Sequence, residues 1–532
     1  MTIDVTADLL LSRYEKLKSD RSHWEEQWRE IAAFVLPRKG HIAGDYQNAG
    51  VRNNYRAYDA TAIHANELLA SGLHTMLTNP STKFLGLFTG NELVDENEAF
   101  KTWADKSSNV IHNVLNNSNF QTEVHENYLD LGSFGTTSLR IEEDKDDHVR
   151  FYAEPITEVT IDENSKGLVD TTFREFTWTY RQIVQEWGVE VLSMNQHREY
   201  LKDQHKEVTI VHAILPRKEV DAQLGSKGMP VASFYIDKTE KKLFHESGFR
   251  EFPTAVPRWT KITGEMYGRS PSFKALPDIK MINQMKKTTI RSAQKVVDPP
   301  MQAPDDGISL PIHSNPNAMN YYRAGTKDRI EPILTGGRVD FGYQAMADQR
   351  NSIREAFFID QLQLQDGPQM TATEVQQRTE EKLRVMGPIL GRQHNEFLKP
   401  VIERVLKILI RKGLIEPAPV IVAKENVQVQ YISMIAKAQK AVDAETLNRV
   451  IQSIAPLIEA RPEIMDNFNS DAIVKHNARM LGLPEKLLVS DSEKQKVRSN
   501  RAEMVKQQQT MEQEKHQSDM AAKTQGANGG QA

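Results

Sequence analysis

Gly264–Pro300 reads GEMYGRSPSFKALPDIKMINQMKKTTIRSAQKVVDPP, and the rest of the chain is ordered around it. It opens as an irregular Gly/Pro segment and becomes one long helix. Leu276, Ile279, Ile282, Met285, Ile290, Ala293 and Val297 recur at helical spacing, which predicts a buried stripe. Lys280, Lys287, Arg291 and Lys295 share another face. Asp298-Pro299-Pro300 stops the helix, because proline lacks the N–H and restricts the residue before it. Met301–Gly337 is broken by proline and glycine and has too little apolar mass for a core of its own. Val339–Phe358 follows as a second strut, with Phe341, Ala345, Ile353 and Phe357 on one side. The order is therefore strut, small module, strut.

Outward from that centre, the 532 residues allow two to four compact units. A composition 39% hydrophobic and 26% charged is that of a globular protein. No apolar run is long enough to cross a bilayer, and with no cysteine, disulfides and thiolate metal sites are excluded. The net charge of -5 argues against a protein that grips DNA tightly, since such affinity comes from neutralising phosphates.

Ala7–Leu36 predicts an amphipathic helix on Leu10, Tyr14, Leu17, Trp24, Trp28, Ile31 and Val35, with one seven-residue gap in the stripe. A second helix opens at Tyr58–Ala62 with Asp59 as its N-cap and runs to Leu77. A strand at Phe84–Phe88 and helices at Glu98–Asn116 and Gln121–Gly132 follow. Thr137–Phe249 reads as hairpins and strands around a short helix, Thr179–Trp187. Ile359–Thr371 is a polar break between helices, and Thr373–Lys412 a long helix kinked at Pro388 and Pro400. Ser433–Met480 is again helical. Ser490–Lys515 predicts a solvated helix, and Ala521–Ala532 a Gly/Ala/Gln tail that stays unfolded.

Catalytic motifs are missing. There is no GxxxxGK[ST], HExxH or GxSxG, and Ala324–Lys327 lacks the order of a phosphate loop. The pairs His112/His125 and His197/His205 read as surface or satisfied core histidines before they read as metal ligands. Glu142–Asp147 reads as a solvated hairpin tip, and Asp305-Asp306 before Gly307 as a turn.

Four passages together resemble the head-to-tail connector, or portal, proteins of short-tailed bacteriophages. The first is Arg13–Lys18 with Trp24-Glu25, Ile31-Ala32 and Val35–Arg38. The second is Tyr58–Thr61 with Leu69–Leu73 and Leu77–Pro80, and the third Asp130–Thr136. The fourth is Tyr267–Pro271 with Ala275–Lys280 and Asp298–Pro300. The resemblance implies a mixed α+β, helix-rich portal fold, assembled as a homo-oligomeric ring of about twelve subunits, a homododecamer, around a channel. Mapped onto this chain, it implies a wing at 1–265 and a first stem helix within 266–297. A clip at 298–338, a second stem helix at 339–358 and a tunnel loop at 359–372 come next. A long kinked helix and wing return at 373–432, a crown at 433–490 and a partly disordered tail at 491–532 complete it.

The implied role is that of a virion component at one capsid vertex, assembled in the host cytoplasm. It would nucleate assembly, pass double-stranded DNA inwards and outwards, and carry the short tail. The implied partners are the terminase large subunit, the major capsid protein, scaffolding protein, tail adaptor and tail tube proteins, and internal ejection proteins, with no membrane. No cofactor and no catalysis are implied, because the motor hydrolyses the ATP. The candidate channel residues are Gln361, Gln363, Gln365, Asp366, Gly367 and Gln369 of the loop, with sparse basic rings from Lys280, Lys287, Arg291, Lys295, Arg350 and Arg354. The alternative for the basic residues is that they face solvent or pair with carboxylates of the next subunit. The candidate docking residues of the clip are Asp298, Pro299, Pro300, Asp305 and Asp306. Two rival functions remain, an internal scaffolding or capsid-associated virion protein without a channel, and a nucleic-acid-processing enzyme such as a nuclease; the first has no need of strut, module, strut, and the second needs a carboxylate cluster that the sequence lacks.

Overall fold

A computed structural model describes residues 7–39, 57–217, 220, 222–302, 319, 325, 331–332, 339–362, 385–419, 427–431, 447, 449–454, 456, 461, 468–480, 489 and 491–528. The chain divides into two units, Met1–Phe84 with Val110–Ile415, and Leu85–Asn109 with Glu416–Ala532.

The larger unit is built on α1 (Ala7–Val35), which no glycine or proline interrupts. Its first half lays Leu10, Leu11 and Tyr14 on Phe173, Val211, Ala213, Phe234 and Ile236. Its second half buries Trp28, Ala32 and Leu36 with Phe134, Ile156, Val159, Ile161, Val256 and Tyr267. The seven-residue gap in the stripe is filled by Arg21, only 3% exposed. Its guanidinium donates to the carbonyls of Ile156, Val159 and Thr157 and to Glu25, which satisfies a charge that burial would otherwise penalise. In chain order the next helices are α2 (Thr61–Leu77), α3 (Glu92–Asp95), α4 (Glu98–Asn117) and α5 (Phe120–Phe134), of which α2 and α5 pack on each other.

A five-stranded antiparallel sheet has the order β4-β5-β6-β7-β8. Its strands are Val159–Glu163, Val169–Thr179, Glu207–Pro216, Val231–Asp237 and Leu243–Phe249. The hairpin β2 (Ser138–Glu143) and β3 (Val149–Glu154) joins β9 (Thr254–Ala255) in a second sheet of three. Period-two alternation sends Phe173, Val211 and Phe234 towards α1. The opposite face places Arg174 across from His212 and His212 across from Tyr235. Arg140 of β2 and Arg174 both bond Glu154, so a charged layer lies under that face.

Two helices carry capping boxes, α6 (Tyr180–Trp187) from Thr179 and α7 (Met194–Lys202) from Ser193. The sequence reading has the first but neither α7 nor β8; both are short and amphipathic over few residues.

The opening stretch folds as α8 (Pro271–Val297), with Ser270 before it and proline in its first turn. It packs along α9 (Val339–Ala356). Between them Met301–Gln302 (β10) pairs with Glu331–Pro332 (β11), which draws the two ends of the intervening segment together. The expected apolar stripe of α8 is buried only in part. Ile279 and Ile282 are in the core and Leu276 is half-buried, whereas Ile290 is 41% and Val297 85% exposed. Asp59 is not the N-cap of α2. It stands one residue before the α2 N-cap, which is Ala60, and accepts from Thr61 N at 2.9 Å and Thr61 Oγ1 at 2.5 Å. The short α10 (Ile359–Leu362) follows α9.

Residues 385–393 (α11) and α12 (Lys399–Arg411) form the described part of the long kinked helix. A π-turn, His394–Leu398, lies just ahead of Pro400, at the place where a proline has no N–H to donate. That turn aims Gln393 and Glu396 at Arg258. Gln393 Nε2 donates to the Arg258 carbonyl at 2.8 Å, and the Arg258 guanidinium reaches Glu396 at 3.0 Å.

In the smaller unit β1 (Leu85–Phe88) pairs antiparallel with β12 (Gln428–Tyr431). The Trp103 indole donates to the Glu416 carbonyl at 2.8 Å. Residues 449–454 (α13) are helical, and α14 (Ser470–Met480) is tied to α15 (Asp491–Asn528) by Asp471 with Lys494 and Arg498. The helix α15 runs on through 521–528, where composition predicts an unfolded end. Ala, Gln and Lys there are good helix formers, and no proline intervenes.

Candidate functional site

The root of α8 is a knot of backbone. Gly135 ends α5 in the left-handed region, at φ 76°. A Cβ on it would lie 2.5 Å from the Gly268 carbonyl, and a Cβ on Gly268 2.4 Å from the Gly135 carbonyl. Only glycine permits that approach at both positions. Around it Gly268 N donates to Thr136 Oγ1 at 2.7 Å, Ser270 Oγ to Ser133 O at 2.6 Å, and Ser272 Oγ to Gly132 O at 2.7 Å. Trp24, Trp28, Tyr267 and Phe273 pack over the knot, with Trp28 and Tyr267 edge-on at 5.2 Å. Three of the four sequence passages singled out above thus meet in one place.

About three turns further along α8, Asn283 replaces an apolar residue on the buried side. Its Oδ1 accepts from Tyr58 N at 2.7 Å and Asp59 N at 3.0 Å, while its Nδ2 donates to Ile279 O at 2.8 Å. Asp59, 4% exposed, is then held by Arg350 of α9 at 2.8 Å and Lys286 of α8 at 3.4 Å. Burial pushes its carboxyl up, but hydrogen bonds from Thr61 and Arg350 outweigh that and hold it well below the usual carboxylate range. One carboxylate therefore ties both long helices to the start of α2. Beside it lies a cleft of about 450 Å³ lined by Asp59, His64, Lys286, Arg350, Arg354 and Asp360, among others.

The candidate residues fall into three groups. Lys280 pairs with Glu30 at 2.7 Å, Lys287 lies 5.7 Å from the Tyr58 ring centre, and Arg350 holds Asp59. Arg291, Lys295 and Arg354 are exposed. Gln361 lies on α10, half-buried, whereas Gln363, Gln365, Asp366, Gly367 and Gln369 lie outside the described residues. Asp298 closes α8 through its N–H to Gln294 O at 2.7 Å, Pro299 and Pro300 lead into β10, and Asp305 and Asp306 lie outside the described residues.

The histidine pairs form no ligand set. His112 lies 3.1 Å from the Pro80 carbonyl, and His125 meets His74 edge-on. Among the described residues no group of three or more His, Asp or Glu could hold a metal ion, and no helix is long and apolar enough to cross a membrane. Sequence reasoning missed Asn283 and the Arg258 pairing with Glu163 and Glu396. A polar Asn on an otherwise apolar stripe was the available signal for the first; the second spans distant segments and has none.

The model of the family described as "Bacteriophage head to tail connecting protein" matches residues 7–488. The chain belongs to that family. A "Probable portal protein" of Bordetella phage BPP-1 is 31% identical over 519 residues, 95% of this chain and 92% of the relative. A "Portal protein" of Salmonella phage epsilon15 is 28% identical over 513 residues, 94% of this chain and 92% of the relative. A chain from a virion of a native gene transfer agent particle aligns over 74% of this chain and 85% of its own length, at 9% identity and a TM-score of 0.37. For this phage head-to-tail connector, a structural protein of the virion by family, the knot and the Asp59 latch are the joints that hold the α8–α9 pair to the rest of its unit.

Proposed function

We propose that this connector acts as a ring-shaped conduit. Copies of the chain stand around a channel at one capsid vertex, α8 and α9 form its stem, and 298–338 its clip. Double-stranded DNA passes through during packaging and again during ejection. The observation that carries this reading is the unburied half of α8. Ile290, Val296 and Val297, with Met301 beyond and Tyr343 on α9, are exposed in the single chain. A closed cyclic assembly supplies the same neighbour to every copy and so covers every such face.

The charges agree with passage rather than grip. Lys280 and Arg350 already have carboxylate partners in their own chain. That leaves Lys287, Arg291, Lys295 and Arg354 as the sparse cations offered to phosphate or to a neighbour's carboxylates, on a chain of net charge -5. The segment 359–372, whose first four residues are α10, is the proposed closest approach to DNA, without a catalytic role. The terminase large subunit and later the tail adaptor and tail tube proteins would dock at the clip. The major capsid protein, scaffolding protein and internal ejection proteins complete the proposed partners.

Electron microscopy of the purified full-length protein, with native mass measurement of its stoichiometry, tests the reading. Closed rings of about twelve copies with a central hole are expected. Monomers or elongated dimers at assembly concentrations would refute it.

A further inference from the structure

We propose that the junction between α9 and α10 is a two-state elbow, bent in this structure and able to straighten into one continuous helix. Its state sets the direction in which the chain leaves Leu362. Phe358 at the junction has φ 59°, the left-handed region, which a bulky side chain rarely adopts. The backbone on either side is helical. Phe357 N donates to Ile353 O at 3.2 Å, and Gln361 N and Leu362 N both donate to Phe358 O at 3.1 Å. One residue's dihedral angles therefore separate two helices from one.

Three contacts hold the bend. The Phe358 ring lies 6.2 Å from that of Trp259, and the backbone N–H of Trp259 donates to Gly135 O in the knot. Leu362 is seated on α2 at Gly72, where a Cβ would come within 2.8 Å of its methyl carbon. Arg350, two turns before the elbow, is fixed to Asp59. Against these stand two local penalties. Phe358 is left-handed, and Gln361 Oε1 is buried with no hydrogen-bond partner. Straightening relieves the first and frees α10 to expose the second, while it gives up the seat at Gly72. Such opposed terms make a hinge with two populated arrangements. The inference rests on neither the ring nor DNA.

The chain has no cysteine, so spin labels at the exposed positions Gln344→Cys and Asp360→Cys report the α9–α10 distance in the full-length protein. Labelled chains are diluted into unlabelled ones so that only distances within one copy are read. A continuous helix separates the labels by about 24 Å, and the bent form brings them closer. Gly72→Leu fills the seat of Leu362, and the long distance is expected to become the majority. Phe358→Gly removes the left-handed penalty together with the Trp259 ring contact, so it is compared with Phe358→Ala, which removes the ring contact and keeps the penalty; added to Gly72→Leu, the glycine variant is expected to favour the short distance roughly tenfold more than the alanine variant. Leu362→Asn empties the seat from the other side and is expected to act like Gly72→Leu. A short distance alone in the folded Gly72→Leu and Leu362→Asn proteins would overturn the elbow. So would identical distance distributions for Phe358→Gly and Phe358→Ala in the Gly72→Leu background.

Discussion

Three single residues carry more of the architecture than their size suggests. Asp59 is the only carboxylate among the described residues bonded to both α8 and α9, so Asp59→Asn leaves Lys286 and Arg350 without their partner. A loss of about 2 kcal/mol in denaturant unfolding is expected, less than for a fully enclosed pair because both cations are about one-third exposed. The depressed carboxyl also gives a sign. Its stabilisation is present above the ordinary aspartate range near pH 4 and is lost as the pH falls through the folded value. Gly135→Ala and Gly268→Ala each drive a methyl into a carbonyl of the facing chain, and a loss of at least about 3 kcal/mol is expected. Little change in the melting temperature of either variant would show that the knot can yield.

His212 is opposite in sign to an ion-paired histidine. Burial, and then Arg140 and Arg174 nearby, push its imidazole well below 6.5. It stacks on Tyr235 at 3.9 Å and bonds Ser233 at 2.9 Å. The unfolded chain takes up a proton near pH 6.5 that the folded chain refuses, so stability is lost as the pH falls below that point. Stability measured between pH 7 and 5 should fall less steeply in His212→Leu than in the parent. An unchanged slope would remove His212 from the account.

Among the elements, α8 shows most directly what periodicity can and cannot say. Its stripe is correct as helix phase, and α8 spans Pro271–Val297 as one element. Periodicity marks which side is apolar but not which partner covers it. Within the chain, Ile279 and Ile282 meet the core, and Ile290 and Val297 meet solvent. Ile290→Asp with Val297→Asp should therefore leave the melting temperature of the isolated subunit nearly unchanged, since exposed substitutions typically move stability by no more than about 0.5 kcal/mol. The same pair should abolish higher assemblies in sedimentation. A variant that still forms closed rings would place the subunit contact elsewhere. Pro400 was legible as a kink, but its form, a π-turn that turns Gln393 and Glu396 together onto Arg258, was not. The proline dictates a missing bond, whereas the way the helix absorbs it depends on what the displaced side chains find.

Across the whole molecule, the amino-acid sequence by itself determined the class and order of the parts. Helix-period stripes, proline and glycine stops and alternating strands place α1, α2, the hairpins and the α8–α9 pair within a few residues, because each signal is local. The ordered passages that resemble connector proteins identified the family for the same reason, since each is a short run with its own turn or packing demand. The tertiary structure alone decided the pairings between distant segments. It joined Leu85–Phe88 to Gln428–Tyr431, brought Gly135 against Gly268, filled the gap in the α1 stripe with Arg21, and set Asp59 between two helices some 220 and 290 residues onward. Those choices depend on complementary shape and on finding a partner for each buried charge. Neither property leaves a periodic mark in the sequence, because the two halves of each contact are specified far apart and mean nothing until the chain has folded.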